Sequence, residues 1–137
     1  MTNSRVSILL PIRNEAKFIS KTIHSIFQQD YPNEMLEIII ADGDSDDGTK
    51  KELDKLKKQY NSLKVIDNPE LTMPKGFNLA LSASTSEFIL MLGGHSIMPK
   101  NYISKSVENI IINNADCSGG VLNTIGEGFW GKIIAST

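Results

Sequence analysis

The hydrophobic residues of this chain change their spacing repeatedly, and that alternation restricts the fold more than any other feature. Val6-Ser7-Ile8-Leu9-Leu10 is a short apolar run closed by Pro11, as a buried strand would be. Phe18, Ile19, Thr22, Ile23, Ile26 and Phe27 then recur at steps of three and four, which makes one helical face. Asn14 is placed to cap that helix, with Glu15 in its first turn, and Tyr31-Pro32-Asn33 ends it. A second strand over residues 36–41 carries Ile38-Ile39-Ile40, followed by the polar loop of residues 42–48.

The alternation continues to the end of the chain. Leu53, Leu56 and Tyr60 give a buried stripe to a lysine-rich helix, with the lysines on its solvated face. Residues 63–66 are shorter and more polar, as suits an edge strand. Pro74 can open a third helix whose face is Phe77, Ala80, Leu81 and Ser84. Residues 87–92 read as a fourth strand, apolar on both faces, and Tyr102, Ile103, Val107, Ile110 and Ile111 as a fourth helix. Residues 116–125 are expected to add a fifth strand, loosened by Gly119-Gly120.

Alternating β and α elements of these lengths imply an α/β fold. Its sheet is mostly parallel, with helices on both faces and right-handed crossovers. Ligands of such sheets bind beyond the carboxyl ends of the strands, where the strand order reverses. The informative residues are therefore 11–15, 42–49, 68–75 and 93–96.

Composition narrows the partners. Net charge is −2, from 14 Lys+Arg against 16 Asp+Glu, so no global basic field exists to hold nucleic acid. The single cysteine, Cys117, cannot form an internal disulfide. The longest apolar runs fall well short of the roughly 18 residues a spanning helix needs. The first run is too short and interrupted for a signal peptide. A cytoplasmic location is expected.

Three loop chemistries can be tested directly. A dinucleotide fold wants GxGxxG after the first strand, and this chain has Pro11-Ile12-Arg13-Asn14-Glu15; a GxxxxGK[ST] loop is also absent. Asp42, Asp44 and Asp46 alternate as in a calcium loop, but the sixth position is Asp47 instead of glycine and the twelfth is Leu53 instead of glutamate. What remains is an acidic loop in which Asp47 can cap the following helix. Asp42, the first residue past the apolar run, suits a carboxylate that accepts from a ribose hydroxyl or a base N–H.

Residues 6–15 together with Ile38-Ile39-Ile40-Ala41-Asp42-Gly43-Asp44-Ser45-Asp46-Asp47-Gly48-Thr49 resemble the start of a family 2 glycosyltransferase with the GT-A fold. Lys75-Gly76-Phe77-Asn78-Leu79-Ala80-Leu81 is similar to that family's third block, and residues 87–96 to its fourth. The succinoglycan-biosynthesis type is the nearest flavour, and Gly119-Gly120-Val121 suits it. The match is carried by the order and spacing of these motifs over nearly the whole chain.

The resemblance implies a UDP-, GDP- or dTDP-sugar donor and a polysaccharide or lipid-linked glycan acceptor. It places Pro11, Arg13, Asn14, Glu15, Asp42, Lys75 and Gly76 in the nucleotide-sugar site. Lys75 is either a point charge for the diphosphate or a solvated lysine of the helix start. Family members hold Mn²⁺ or Mg²⁺ with Asp-x-Asp or Asp-x-His after the fourth strand; here the motif is Gly93-Gly94-His95, so His95 is the one ligand left and the site is weakened. The resemblance also implies a later, acceptor-side half with a general base. Residues 1–125 are therefore read as the donor-binding domain of a longer enzyme, by itself inactive. That parent is expected at the inner face of the membrane. Residues 126–137 are read as a tail whose Phe129, Trp130, Ile133 and Ile134 favour self-association. The competing reading is a non-catalytic nucleotide-sugar-binding or interaction domain of the same descent.

Overall fold

The computed structural model describes residues 4–125. Its elements alternate as β1 (Val6–Ile12), α1 (Ile19–Phe27), β2 (Leu36–Asp42), α2 (Thr49–Gln59), β3 (Leu63–Asp67), α3 (Met73–Ser82), β4 (Phe88–Met91) and α4 (Tyr102–Asn113). The strands are all parallel, in the order β3-β2-β1-β4. The chain steps outward from β1 through β2 to β3, then crosses back to lay β4 on the other side of β1. Strand order therefore reverses beside β1. As its polarity implied, β3 is an edge strand.

The two faces are built differently. On one face Val6, Ile8, Leu10 and Ile12 meet Ile38 and Ile40, and α1, α2 and α4 seal them with Ile19, Ile23, Ile26, Leu53, Leu56, Ile103 and Val107. On the other, Leu9 and Ile39 pack against Ala80 and Phe77 of α3. Small residues on α3 let it lie close: a side chain on Gly76 would put its Cβ 2.6 Å from Pro11 Cβ and 3.5 Å from Ala41 Cβ. Because α3 sits over β1 and β2, it leaves part of β4 uncovered. Phe88 and Leu90 join the first core, while Ile89 and Met91 are 40% and 60% exposed on the second face.

At the opposite end of the sheet from the reversal loops, Glu37 gathers three donors. Its carboxylate accepts from Ser7 Oγ at 2.6 Å, Lys64 Nζ at 2.5 Å and the Thr85 N–H at 3.2 Å. Burial opposes its ionisation, but the hydrogen bonds from Lys64, Ser7 and Thr85 and the Lys64 charge outweigh that and hold its pKa below the ordinary glutamate value. A depressed folded-state pKa means the stabilisation is complete above the unfolded-state value of about 4.3 and is lost as pH falls through the lower folded one. Glu37→Gln should therefore cost about 1.5 kcal/mol at neutral pH, and the difference should close in acid below that window. Urea melts of both proteins across pH 2–7 check this; a gap independent of pH would mean the charge is not what holds the cluster.

Two expectations are corrected. Residues 116–125 form no strand. Gly120 instead lies against the Tyr102 ring, where a Cβ would come within 2.6 Å of Cε2, and Val121, Leu122 and Ile125 face solvent. Two adjacent glycines have no side chains to pack and lose the most freedom on ordering, so this segment gains little by pairing with β4. Asn14 does not cap α1. The helix begins four residues after Glu15, at Ile19, and Asn14 has left-handed φ of 56° in the loop before it. The segment 126–137, with the association surface expected there, lies outside the described residues.

Candidate functional site at the carboxyl ends of the strands

Four loops meet where the strand order reverses, and backbone contacts hold them together. The Gly43 N–H donates to Ile12 O at 2.8 Å, joining the ends of β1 and β2. The Asn68 N–H donates to Asp42 O at 2.8 Å, tying in the end of β3. The Leu92 N–H donates to Leu9 O at 3.0 Å, and Thr22 Oγ1 donates to Gly94 O at 2.9 Å, fixing the end of β4 over α1. Gly94 is seated so tightly that a Cβ there would lie 2.7 Å from Ile12 Cγ2 and 2.9 Å from Glu15 Cγ.

The β1 and β2 loops are laced by side chains. Asp42 ends β2 at 3% exposure, and its two carboxylate oxygens accept from Ser45 Oγ at 2.5 Å and the Ser45 N–H at 3.2 Å. Ser45 Oγ accepts in turn from the Asn14 N–H at 2.9 Å. The Asn14 amide then pairs reciprocally with Asp46, its Nδ2 donating to Oδ1 and its Oδ1 accepting from the Asp46 N–H, both at 2.9 Å. The Glu15 N–H donates to Thr49 Oγ1 at 2.8 Å and the Ala16 N–H to Asp47 Oδ2 at 3.1 Å. Asp47 also accepts from the Thr49 N–H at 3.0 Å, but it stands one residue before the helix cap, which is Gly48, so it braces the helix start and is not the cap expected of it. The Thr49 hydroxyl, with the Thr49 and Ala16 N–H groups, lowers the Asp47 pKa.

The expected site residues thus divide. Pro11 is buried in β1 beneath α3, and Gly76 packs against it, so the two form a helix-on-sheet contact and neither side chain offers a polar group. Asn14 acts as a brace between loops. Arg13 is exposed on the rim, beside Gly43. Lys75 pairs with Glu70 at 3.1 Å, with both side chains more than half exposed. Glu15 Oε1 meets His95 Nδ1 at 2.9 Å, and the His95 ring stands edge-on to Phe18.

That Glu15–His95 pair bears on metal binding. It brings two ligand-type groups together, and among the described residues no cluster of three His, Cys, Asp or Glu exists. The donor set is therefore short of a divalent metal centre. Nothing steric excludes a carboxylate at position 93, where a Cβ would meet only Ser96 Oγ at 3.2 Å. The loop lacks the ligand because its sequence lacks it.

Sequence reasoning missed Ser45, Asp46 and Asn68. Ser45 and Asp46 act across about thirty residues of sequence, which no local pattern reports. Asn68 is 3% exposed, donates through Nδ2 to Thr72 O at 2.9 Å, and leaves Oδ1 without a partner. A buried acceptor with no donor costs about 1–3 kcal/mol, so such groups call for an explanation. Its one sequence signal was its place just after the third strand.

A parallel sheet in the order β3-β2-β1-β4, with its loops gathered at the reversal beside a buried carboxylate, is a Rossmann-like α/β arrangement that GT-A glycosyltransferases share. The chain belongs to glycosyl transferase family 2, whose sequence profile matches residues 7–136. A dolichyl N-acetyl-alpha-D-glucosaminyl phosphate 3-beta-D-2,3-diacetamido-2,3-dideoxy-beta-D-glucuronosyltransferase of Methanococcus voltae is 30% identical over 135 residues, covering 93% of this chain and 42% of that protein. The succinoglycan biosynthesis protein ExoA of Rhizobium meliloti is 26% identical, covering 98% and 41%. Among solved structures, the mannosyltransferase PcManGT of Pyrobaculum calidifontis, in complex with GDP-Man and Mn²⁺, superposes with a TM-score of 0.72 at 24% identity, covering 93% and 37%. The chain thus spans about two-fifths of the length of these curated relatives. Among the described residues no helix is long and apolar enough to cross a membrane.

Proposed function

We propose that this domain binds the nucleotide-diphosphate sugar of a glycosyltransferase, at the carboxyl ends of β1, β2 and β4. The observation that carries this reading is Asp42: a carboxyl side chain, almost wholly buried, at the point where the loops converge. Its oxygens keep lone pairs beyond those given to Ser45, and a ribose hydroxyl or base N–H is the donor that fits them. Pro11 and Gly76 seat α3 on the sheet, Arg13 and Lys75 stand at the site's rim as cations for the diphosphate, and Glu15 and His95 border the β4 side. Asn14 contributes by holding the loops after β1 and β2 in register.

GDP-Man in the complex of the Pyrobaculum enzyme supports a nucleotide-diphosphate sugar as donor, of which UDP-, GDP- and dTDP-sugars are the candidates, and the dolichyl phosphate and succinoglycan in the relatives' names support a lipid-linked glycan or a polysaccharide as acceptor. Residues 1–125 are the donor domain in this reading, and a parent enzyme would act in the cytoplasm at the membrane's inner face. A second reading, a nucleotide-sugar-binding domain without transfer activity, is favoured by one observation. Gly93 stands where a metal-binding carboxylate is expected, which leaves Glu15 and His95 as the ligand-type pair there among the described residues.

A thermal-shift panel of UDP-glucose, GDP-mannose and dTDP-glucose, each with and without Mn²⁺, tests the proposal. A donor present at a hundred times its Kd should stabilise the fold by about 2.7 kcal/mol. Stabilisation by none of the three would overturn it. Any effect of Mn²⁺ would need donor phosphate oxygens in its coordination shell, since this loop supplies so few.

A further inference from the structure

We propose that this domain holds its nucleotide-diphosphate sugar without a divalent metal, and that residue 93 decides this; the inference rests on the nucleotide-sugar reading above. Glu15 is fixed in place before it meets His95. Its carbonyl accepts from the Phe18 and Ile19 N–H groups, both at 2.9 Å, and its N–H donates to Thr49 Oγ1. Its Cγ and Cδ crowd the space a Gly94 Cβ would take. The carboxylate is thereby aimed at His95, with Oε1 and Nδ1 2.9 Å apart. A carboxylate beside Nδ1 keeps a proton on that nitrogen, so Nε2 is the only ring nitrogen left for a metal. The two nitrogens point in divergent directions, and an ion on Nε2 would lie out of reach of the carboxylate that holds Nδ1.

One imidazole nitrogen does not make a Mn²⁺ or Mg²⁺ centre. Both ions favour oxygen-rich shells, and their affinity rises with the number of charged oxygens supplied. Among the described residues no three His, Cys, Asp or Glu come together to supply them. The frame for one more ligand is nevertheless present. The Ser96 N–H donates to Gly93 O at 3.1 Å, closing a tight turn over residues 93–96, and Thr22 Oγ1 pins Gly94 O at 2.9 Å. Gly93 is not among the described residues with positive φ, so an aspartate there is not strained. Its Cβ would meet only Ser96 Oγ, the end of a side chain that can turn away. What is missing is a single carboxylate two residues before His95. The countercharge for a diphosphate is then left to Arg13, exposed beside Gly43, and to Lys75, whose partner Glu70 is itself more than half exposed.

The test is calorimetry of UDP and GDP with the full chain, in excess Mn²⁺ and in EDTA, together with Mn²⁺ electron paramagnetic resonance. For the wild-type chain the Kd of the preferred nucleotide should agree within about twofold between the two conditions. Gly93→Asp supplies the carboxylate and Gly93→Asn its neutral isostere. With aspartate, Mn²⁺ should tighten nucleotide binding by roughly tenfold or more, and the resonance signal of free Mn²⁺ should fall when nucleotide is added. Asparagine should behave as wild type. If the aspartate variant melts low, the same measurement in a Ser96→Ala background removes the one atom near the new side chain. Wild-type affinity that rises tenfold with Mn²⁺, or that exists only with Mn²⁺, would overturn the inference and leave the nucleotide reading standing. A folded aspartate variant with no response to Mn²⁺ would overturn the assignment to residue 93. Failure of the wild-type chain to bind either nucleotide in either condition would instead remove the underlying reading, and this inference with it.

Discussion

Replacing Gly76 by valine is expected to destabilise the domain by about 3 kcal/mol, at the upper end of what overpacking usually costs. A Cβ at this position would stand 2.6 Å from Pro11 Cβ, 3.1 Å from Asn68 Nδ2 and 3.5 Å from Ala41 Cβ. Pro11 and Ala41 are paired neighbours in β1 and β2, and neither can swing aside as the end of a long side chain would. The helix must therefore lift away from the strands, uncovering Leu9 and Ile39, which α3 buries through Ala80. Alanine should cost less than valine, because leaving glycine inside a helix recovers about 1 kcal/mol of propensity and adds a single methyl group. The expected order of stability in urea melts is glycine, then alanine, then valine. Valine as stable as wild type would show that α3 does not rest on these strands through Gly76.

That close seat explains both what the sequence discloses and what it hides. Strand and helix identity was legible because burial repeats along each segment: all seven residues of β1 are buried, and α1 buries Ile19, Ile23 and Ile26 on one face. Which loops gather at the candidate site was legible for the same reason, since an alternating pattern fixes which loops follow strands. The chemistry within those loops was much less so. Asn14 read as a helix cap because its neighbours are helix-like, yet its partner is Asp46 in another loop. Lys75 read equally as a cation for the diphosphate or as a solvated lysine, and its pairing with Glu70 comes from a turn whose shape no period encodes. Residues 116–125 have apolar side chains at Val121, Leu122 and Ile125, but apolarity makes a strand only where an edge and a covering layer are ready to receive it.

Asp42→Ala is expected to weaken nucleotide binding by about 1.5–3 kcal/mol, the increment of a hydrogen bond to a charged acceptor. That is roughly ten- to a hundredfold in Kd, within reach of calorimetry. The substitution also removes the acceptor for the Ser45 hydroxyl and N–H, so a loss of affinity has two origins to separate. Ser45→Ala separates them. It breaks the link from Asp42 through Ser45 to the Asn14 N–H while leaving the carboxylate in place. If Asp42 touches the nucleoside, Ser45→Ala should retain most of the affinity, because the reciprocal Asn14–Asp46 pair and the bond from Glu15 to Thr49 still brace the loops. If Asp42 serves only to shape the loop, the two variants should lose affinity alike. Unchanged binding in Asp42→Ala would remove the carboxylate from the site altogether. The buried side chain would then be a purely structural anchor for the turn at Ser45.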